Sequence, residues 1–257
     1  MTYTSPRHPQ LFYTTAPMPC PYLPERMERK VVTDITGPQA EQLHNRLSSA
    51  GFRRSHTIAY APVCAGCTAC VPIRLPVNRF RPDRTQQRIF RRNRELLSMD
   101  VLPRATEEQF ALFRRYQLSR HGNGDMAGMN AGDYRNMIED TPIRTFMIEF
   151  RDHSGQLICV SLLDRVEDGL SAVYTFFDPD MPRSSLGTYA ILYLVERVRM
   201  MGLSHLYLGY WIKGSPKMAY KSRFRSAEIM RRGVWTELVE PQHDTSHFLP
   251  VLPVTVG

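Results

Sequence analysis

The order of apolar periods between residues 145 and 211 constrains this 257-residue chain more than any other feature. Residues 145–150, 157–164 and 170–177 are strand-length runs rich in β-branched and aromatic side chains, joined by turns that carry Gly155 and Gly169. Connections this short predict antiparallel pairing, because parallel neighbours need a crossover of about a dozen residues or more. The period then changes. Ala190, Ile191, Leu194, Val195, Val198 and Met201 recur at helical spacing, and Gly202 stands where such a helix commonly stops. Residues 206–211 read as a further strand, 217–223 as a short helix and 228–236 as a last strand. Three strands, helix, strand, helix, strand predicts an α+β domain, a mixed sheet flanked by helices.

The first half is less regular. Residues 1–36 read as an extended, proline-rich lead, 39–50 as a helix closed by Gly51, and 57–60 and 71–77 as short strands. Residues 107–121 and 132–138 read as helices. We divide the chain at residue 100, with a smaller cysteine-containing domain over 1–100 and the mixed-sheet domain over 101–257.

Hydrophobic residues make up 42% of the chain, enough for a sizeable core. No apolar run approaches the roughly 20 residues of a membrane span, and the N-terminus lacks the basic-then-apolar plan of a secretion signal. A cytoplasmic protein with no membrane partner is expected. Its formal net charge of +8 favours a polyanionic partner.

Five cysteines, an odd number without an export signal, argue against a disulfide framework. Cys64, Cys67 and Cys70 form C-x-x-C-x-x-C, and Cys20 would supply a fourth sulfur for a tetrahedral zinc or an iron–sulfur cluster. The alternative is a set of plain thiols in a Pro/Gly/Ala loop. Cys159, within Leu157-Ile158-Cys159-Val160, is expected in the core.

Arginines crowd residues 79–94. On a helix Arg84, Arg88, Arg91 and Arg92 share one face, with Ile89, Leu96 and Leu97 opposite, and no acidic residue lies between 84 and 94. An arginine stripe backed by an apolar seam suits phosphate oxygens, and RNA read by shape and backbone is the expected partner. A solvated charged face is the plain alternative.

The element order resembles the N-acetyltransferase superfamily. Its pyrophosphate-binding turn would correspond to Arg183-Ser184-Ser185-Leu186-Gly187-Thr188, but Leu186 and Thr188 stand where glycine or alanine is wanted, which disfavours coenzyme A as donor. A second resemblance is more specific. Val173-Tyr174-Thr175-Phe176-Phe177-Asp178-Pro179-Asp180, Ser185-Leu186-Gly187-Thr188-Tyr189, Leu208-Gly209-Tyr210-Trp211-Ile212 and Pro216-Lys217-Met218-Ala219-Tyr220-Lys221-Ser222-Arg223-Phe224-Arg225 closely resemble the arginyl-tRNA–protein transferase family. Phe52-Arg53-Arg54-Ser55 and Tyr60-Ala61-Pro62 resemble its N-terminal domain, and Cys20-Pro21-Tyr22-Leu23-Pro24-Glu25-Arg26 its short bacterial branch. The likeness runs roughly from Phe12 to Trp235. One departure is Ser226, where the family usually has proline after the Phe-Arg pair.

The resemblance implies transfer of an amino acid, leucine in the bacterial branch, from a charged tRNA to N-terminal Asp or Glu of proteins thereby marked for degradation. Arginine as donor is the alternative, and a metal-bearing RNA-binding protein without catalysis a remoter one. The partners implied are aminoacyl-tRNA and proteins with an acidic N-terminal residue. The chemistry needs no cofactor, because an aminoacyl ester is already activated and attack by an amine needs positioning above all. The candidate that orients or deprotonates the amine is Asp178, with a plain Asp178-Pro179-Asp180 turn as the alternative. Lys217 and Lys221, one helical turn apart, would hold the acceptor's carboxylate or the tRNA end, with solvated surface lysines as the alternative; Tyr174 and Tyr220 would stack on the terminal adenosine or simply pack in the core, and Ser185 is a further substrate-binding candidate. His121 reads more simply as a helix C-terminal dipole partner.

Overall fold

The computed structural model describes residues 9–239 apart from Asn123; the side chains of His121 and Asp125 also lie outside the described residues. The N-terminal lead is not featureless. It supplies β1 (Tyr13–Thr14), β2 (Met18–Pro19), β3 (Met27–Glu28) and β4 (Lys30–Asp34), and α1 (Ala40–Ser49), β5 (Arg53–Ser55) and β6 (Ile58–Pro62) follow. β1, β4, β6 and β5 form a four-stranded sheet in that order. Ile35, Ala40, Leu47, Ala59 and Ile143 make its small core, so a residue of the second half already helps to close it. Gly51, at φ +88°, turns the chain out of α1 as expected.

The main sheet has eight strands. β7 (Cys70–Pro76), β8 (Leu97–Val101), β9 (Thr145–Arg151), β10 (Leu157–Val166), β11 (Gly169–Phe177), β12 (His205–Ile212), β13 (Glu228–Arg231) and β14 (Val234–Glu237) lie in the order β14-β13-β7-β12-β11-β10-β9-β8. β9, β10 and β11 pair antiparallel as their short connections require, and β12 runs parallel to β11 after the crossover helix. This is the α+β plan expected of the second half. β7 and β8 begin before residue 100, yet one sits inside this sheet and the other forms its edge.

The helices are α2 (Arg84–Arg92), α3 (Glu107–His121), α4 (Ala131–Glu139) and α5 (Leu186–Met200). Capping boxes start three of them, Asp83 with Gln86, Thr106 with Gln109 and Asn130 with Asp133. On one face of the sheet Tyr189, Leu194, Val195 and Val198 of α5 pack on Leu75, Phe150, Leu163 and Leu206; on the other, Phe113, Tyr134 and Ile138 of α3 and α4 pack on Met147, Val160, Leu162 and Phe176. Cys159 is fully buried in the α5 core.

Four local expectations are corrected. α2 ends at Arg92 with Asn93 as its cap, so Leu96 and Leu97, expected on its apolar side, lie beyond it, Leu97 on edge strand β8 with 61% of its surface exposed. Met201 lies just past α5 and is exposed. The last strand is a hairpin, β13 and β14, turned by Arg232 and Gly233 at φ +50° and +77°. Lys217 lies in a turn before a short 3-10 helix, Ala219–Arg223, so it does not share a helix face with Lys221.

Candidate active site

β11 and β12 are hydrogen-bonded only from Gly169↔His205 to Ser171↔Tyr207. Beyond this they diverge, and the strand edges that open must satisfy their carbonyls in some other way. Two cations do so. Arg53 of β5 donates from Nη2 to the carbonyls of Ala172 and Val173, 2.9 Å each, and Lys221 donates from Nζ to the carbonyls of Leu208 and Tyr210 at 2.8 and 2.7 Å. Gly209 lies between the last two at φ +77°, beside the point where the β12–β7 register slips. A Cβ at Gly209 would fall 1.6 Å from Arg53 Nη1, so only glycine lets the guanidinium enter the gap.

Aromatic side chains surround the cleft. The charge of Arg53 acts on Tyr22, Tyr210, Tyr220 and Lys221. Tyr22 is pushed up to about 12, first by burial and then by Tyr60, and Tyr210 is raised by burial while its hydroxyl donates to the carbonyls of Gly51 and Tyr60. Burial and, secondarily, Arg53 lower Lys221 to about 7. Its ammonium, 7% exposed, is turned to the two backbone carbonyls, so this lysine braces β12 and does not face an incoming carboxylate. Lys217 is exposed. Tyr220 keeps 37% of its surface at the rim, and Tyr174 accepts a hydrogen bond from Gln117 at 2.7 Å on the α3 side of β11.

The far end of β11 meets the head of α5. Gly187 is small for a packing reason, since a Cβ there would lie 3.2 Å from the ring of Phe177. Ser185 occupies the left-handed region at φ 51°, ψ 47°, and its hydroxyl does not cap the helix. A non-glycine residue held there stores of order 1 kcal/mol or more of strain, which marks a turn fixed by its surroundings. Asp178 is buried, its Oδ2 2.7 Å from Arg115 Nη2 and its Oδ1 accepting from the Asp180 N–H at 2.9 Å. In the described structure it anchors the turn and α3.

α2 is moored to that same turn. Asn93 Nδ2 donates to the Ser184 carbonyl at 2.8 Å and Arg92 to that of Arg183. Arg84, Arg88, Arg91 and Arg92 are exposed along it, and Ile89 and Phe90 pack on the α5 core. The exposed arginine face of this helix thus lies beside the turn at the mouth of the cleft, while of the expected apolar seam only Ile89 is on the helix.

Cys64, Cys67 and Cys70 line one cavity of about 320 Å³ with Met230. Burial, then the nearness of Cys20, Cys64 and Cys67, push the Cys70 thiol up to about 12. The Arg29 N–H points at Cys64 Sγ, 3.4 Å away, and the Cys67 N–H at the Cys64 carbonyl. Among the described residues no three histidine, cysteine or acidic side chains converge closely enough, as placed, to hold a metal ion.

Arg53, Gly209 and Tyr210 lie in the motifs Phe52-Arg53-Arg54-Ser55 and Leu208-Gly209-Tyr210, to which the sequence alone attaches no separate role. The usable signal was paired: an arginine doublet on one strand and a glycine inside another, which often marks close approach of a second backbone or side chain. The adjacent Arg54 is a different device. It is buried against Asp164, 2.7 Å from each carboxylate oxygen.

Two family models match the chain, arginine-tRNA-protein transferase, N terminus, over residues 18–88, and arginine-tRNA-protein transferase, C terminus, over 108–231. The aspartate/glutamate leucyltransferase of Gluconacetobacter diazotrophicus is 68% identical over 93% of this chain and 92% of its own. That of Granulibacter bethesdensis is 62% identical over 90% and 87%, and that of Ruegeria pomeroyi 51% over 95% and 90%. Among solved structures, FemX aligns at TM-score 0.46 and 10% identity over 75% of this chain and 67% of that one.

Proposed function

The chain belongs to the arginine-tRNA-protein transferase family, and from that premise we propose that it moves leucine from leucyl-tRNA to the α-amine of proteins that begin with Asp or Glu. The single observation that carries the assignment of place is the mooring of α2 to Arg183 and Ser184, because it joins a cationic helix to the mouth of the β11–β12 cleft. Arg84, Arg88, Arg91 and Arg92 hold the acceptor-stem phosphates, and the 3′ end passes the strained Ser185 turn into the cleft. Tyr220 and Tyr174 offer ring faces to the terminal adenosine.

In the reaction the acceptor's amine nitrogen attacks the ester carbonyl carbon. A peptide bond forms, the ester C–O bond breaks, and the terminal ribose hydroxyl leaves with the proton that the amine gives up. An α-amine with a pKa of about 7.7–8.0 is roughly a tenth deprotonated at neutral pH, so placement and exclusion of water supply most of what the step needs. Asp178 acts by fixing the β11 end through Arg115. We further propose that Cys20, Cys64, Cys67 and Cys70 hold a structural zinc or iron–sulfur cluster, with thiolates as the donor set and the Arg29 N–H bond supporting the Cys64 sulfur. It takes no part in transfer; it steadies the wall of the cleft, since Cys70 adjoins Tyr22 and Tyr210.

The test is transfer of labelled leucine and labelled arginine from their tRNAs to a peptide beginning with Asp. Leucine transfer alone is expected. Arginine transfer alone would select the other donor, and neither would refute the activity.

A further inference from the structure

Most half-buried or buried arginines that reach into the fold have a carboxylate partner, and Arg165, which has none among the described residues, is folded back on the carbonyls of Val166, Glu167 and Gly169 in its own hairpin. Arg54 is paired with Asp164, Arg74 with Glu228, Arg151 with Glu108 and Glu149, and Arg197 with Asp100. Arg53 has no carboxylate partner among the described residues. Nη2 holds two backbone carbonyls, and Nη1 and Nε bond to nothing among the described residues. A half-buried cation without a counter-ion is costly to keep, and a ring of tyrosines makes the surroundings poorer in water than the open surface. The other cation of the cleft, Lys221, is used up on its two carbonyls.

We infer that the Arg53 guanidinium, wedged between β11 and β12 by Gly209, reads the acidic side chain of the acceptor. The inference rests on the transferase reading and deepens it by naming the group that separates Asp and Glu from their amides. The two carbonyl bonds fix the guanidinium before a substrate arrives, so little side-chain entropy is lost on pairing, and the remaining N–H groups match carboxylate oxygens. An amide side chain would turn an NH₂ toward the cation and leave it unpaired, and that is a mechanism of exclusion as well as of attraction.

The experiment uses the full chain with leucyl-tRNA and two near-isosteric peptides, one beginning with Asp and one with Asn. Arg53→Gln should lower kcat/KM for the Asp peptide by about a hundredfold while changing the Asn peptide by less than about threefold, the size expected for loss of one buried charge partner. An equal fall for both peptides would overturn the inference, because Arg53 would then only brace the strands. Loss of leucyl-tRNA binding with an unchanged Asp/Asn ratio would overturn it too, placing the cation on a phosphate. Thermal melting monitors folding. Should Arg53→Gln not fold, Arg53→Lys, which keeps the charge and loses the fork, carries the test, with at least about a tenfold fall in the ratio expected and an unchanged ratio overturning it. If the wild-type chain transfers leucine to neither peptide, the transferase reading has failed separately. Equilibrium binding of the two labelled peptides then decides the matter, with a preference for Asp that Arg53→Gln removes supporting the inference and no preference in the wild type overturning it.

Discussion

At the scale of residues, one buried ion pair couples the small sheet to the large one. Arg54, on β5, and Asp164, on β10, are both out of water; Thr145 donates to the same carboxylate at 2.8 Å, and His44 lies 3.8 Å from it. Removing one partner strands the other charge, so Asp164→Ala is expected to cost about 3–5 kcal/mol, read as a lower urea midpoint. Replacing both partners with apolar residues should cost less than the single change. His44 adds a pH term. Burial holds its pKa below 6.5, with Asp164 acting the other way. Below about 6.5 the unfolded chain therefore binds a proton that the folded chain refuses, and stability must fall as pH drops from there toward the depressed folded value. His44→Gln should flatten that part of a melting-temperature profile. Loss of the ion-paired and hydrogen-bonded carboxylates Asp34, Glu41 and Glu108, whose pKa values are lowered, belongs to a more acid window, below their ordinary values near 4.

At the scale of elements, α2 and the cysteine loop carry the measurable consequences. Reversing Arg88 and Arg91 to Glu is expected to weaken tRNA binding and to reduce the slope of log affinity against log salt by about one per lost phosphate contact. Both side chains are exposed, so folding should be unaffected; an unchanged slope would mean that the stripe only faces solvent. For the cysteine loop, elemental analysis of protein purified without oxygen should find zinc or iron near one site per chain. Cys67→Ser should then lower the melting temperature by loosening the wall that Cys70 shares with Tyr210. Metal-free protein that melts at the same temperature would refute this. Ser226 takes a φ of 66°, a conformation closed to proline, which is locked near −65°.

At the scale of the molecule, the two halves share one sheet. β7 lies between β12 and β13, β8 extends the sheet beyond β9, and Trp235 donates back to the Ser49 carbonyl. A fragment of residues 101–257 would lack β7 and nearly all of β8, leaving β12 unpaired along its β7 edge and the α5 core without Leu75. We expect that fragment not to fold stably, and the full chain to unfold in urea in a single transition seen alike by near- and far-ultraviolet circular dichroism. Two separated transitions would show that the halves are independent.

The alternating runs over 145–177 and the helical period before Gly202 determined by themselves the order and type of β9, β10, β11 and α5 and the near-exact bounds of the three strands, because burial on one face writes its period into the chain. The arginine face of α2 and the burial of Cys159 were legible for the same reason. Local pattern did not carry the placement of β7 inside the distant sheet, nor the break of residues 228–236 into a hairpin, where Arg232 has to take a positive φ. It also assigned Lys221 to the substrate, since a lysine in a polar motif looks exposed until two diverging strands offer it their carbonyls. Arg53 and Gly209 are 156 residues apart and meet only because β5 and β12 are brought together by Arg54 with Asp164 and Tyr210 with Gly51. Their pairing is decided by tertiary structure because hydrogen bonds and close packing act through space, whereas periodicity records only which side of an element is buried.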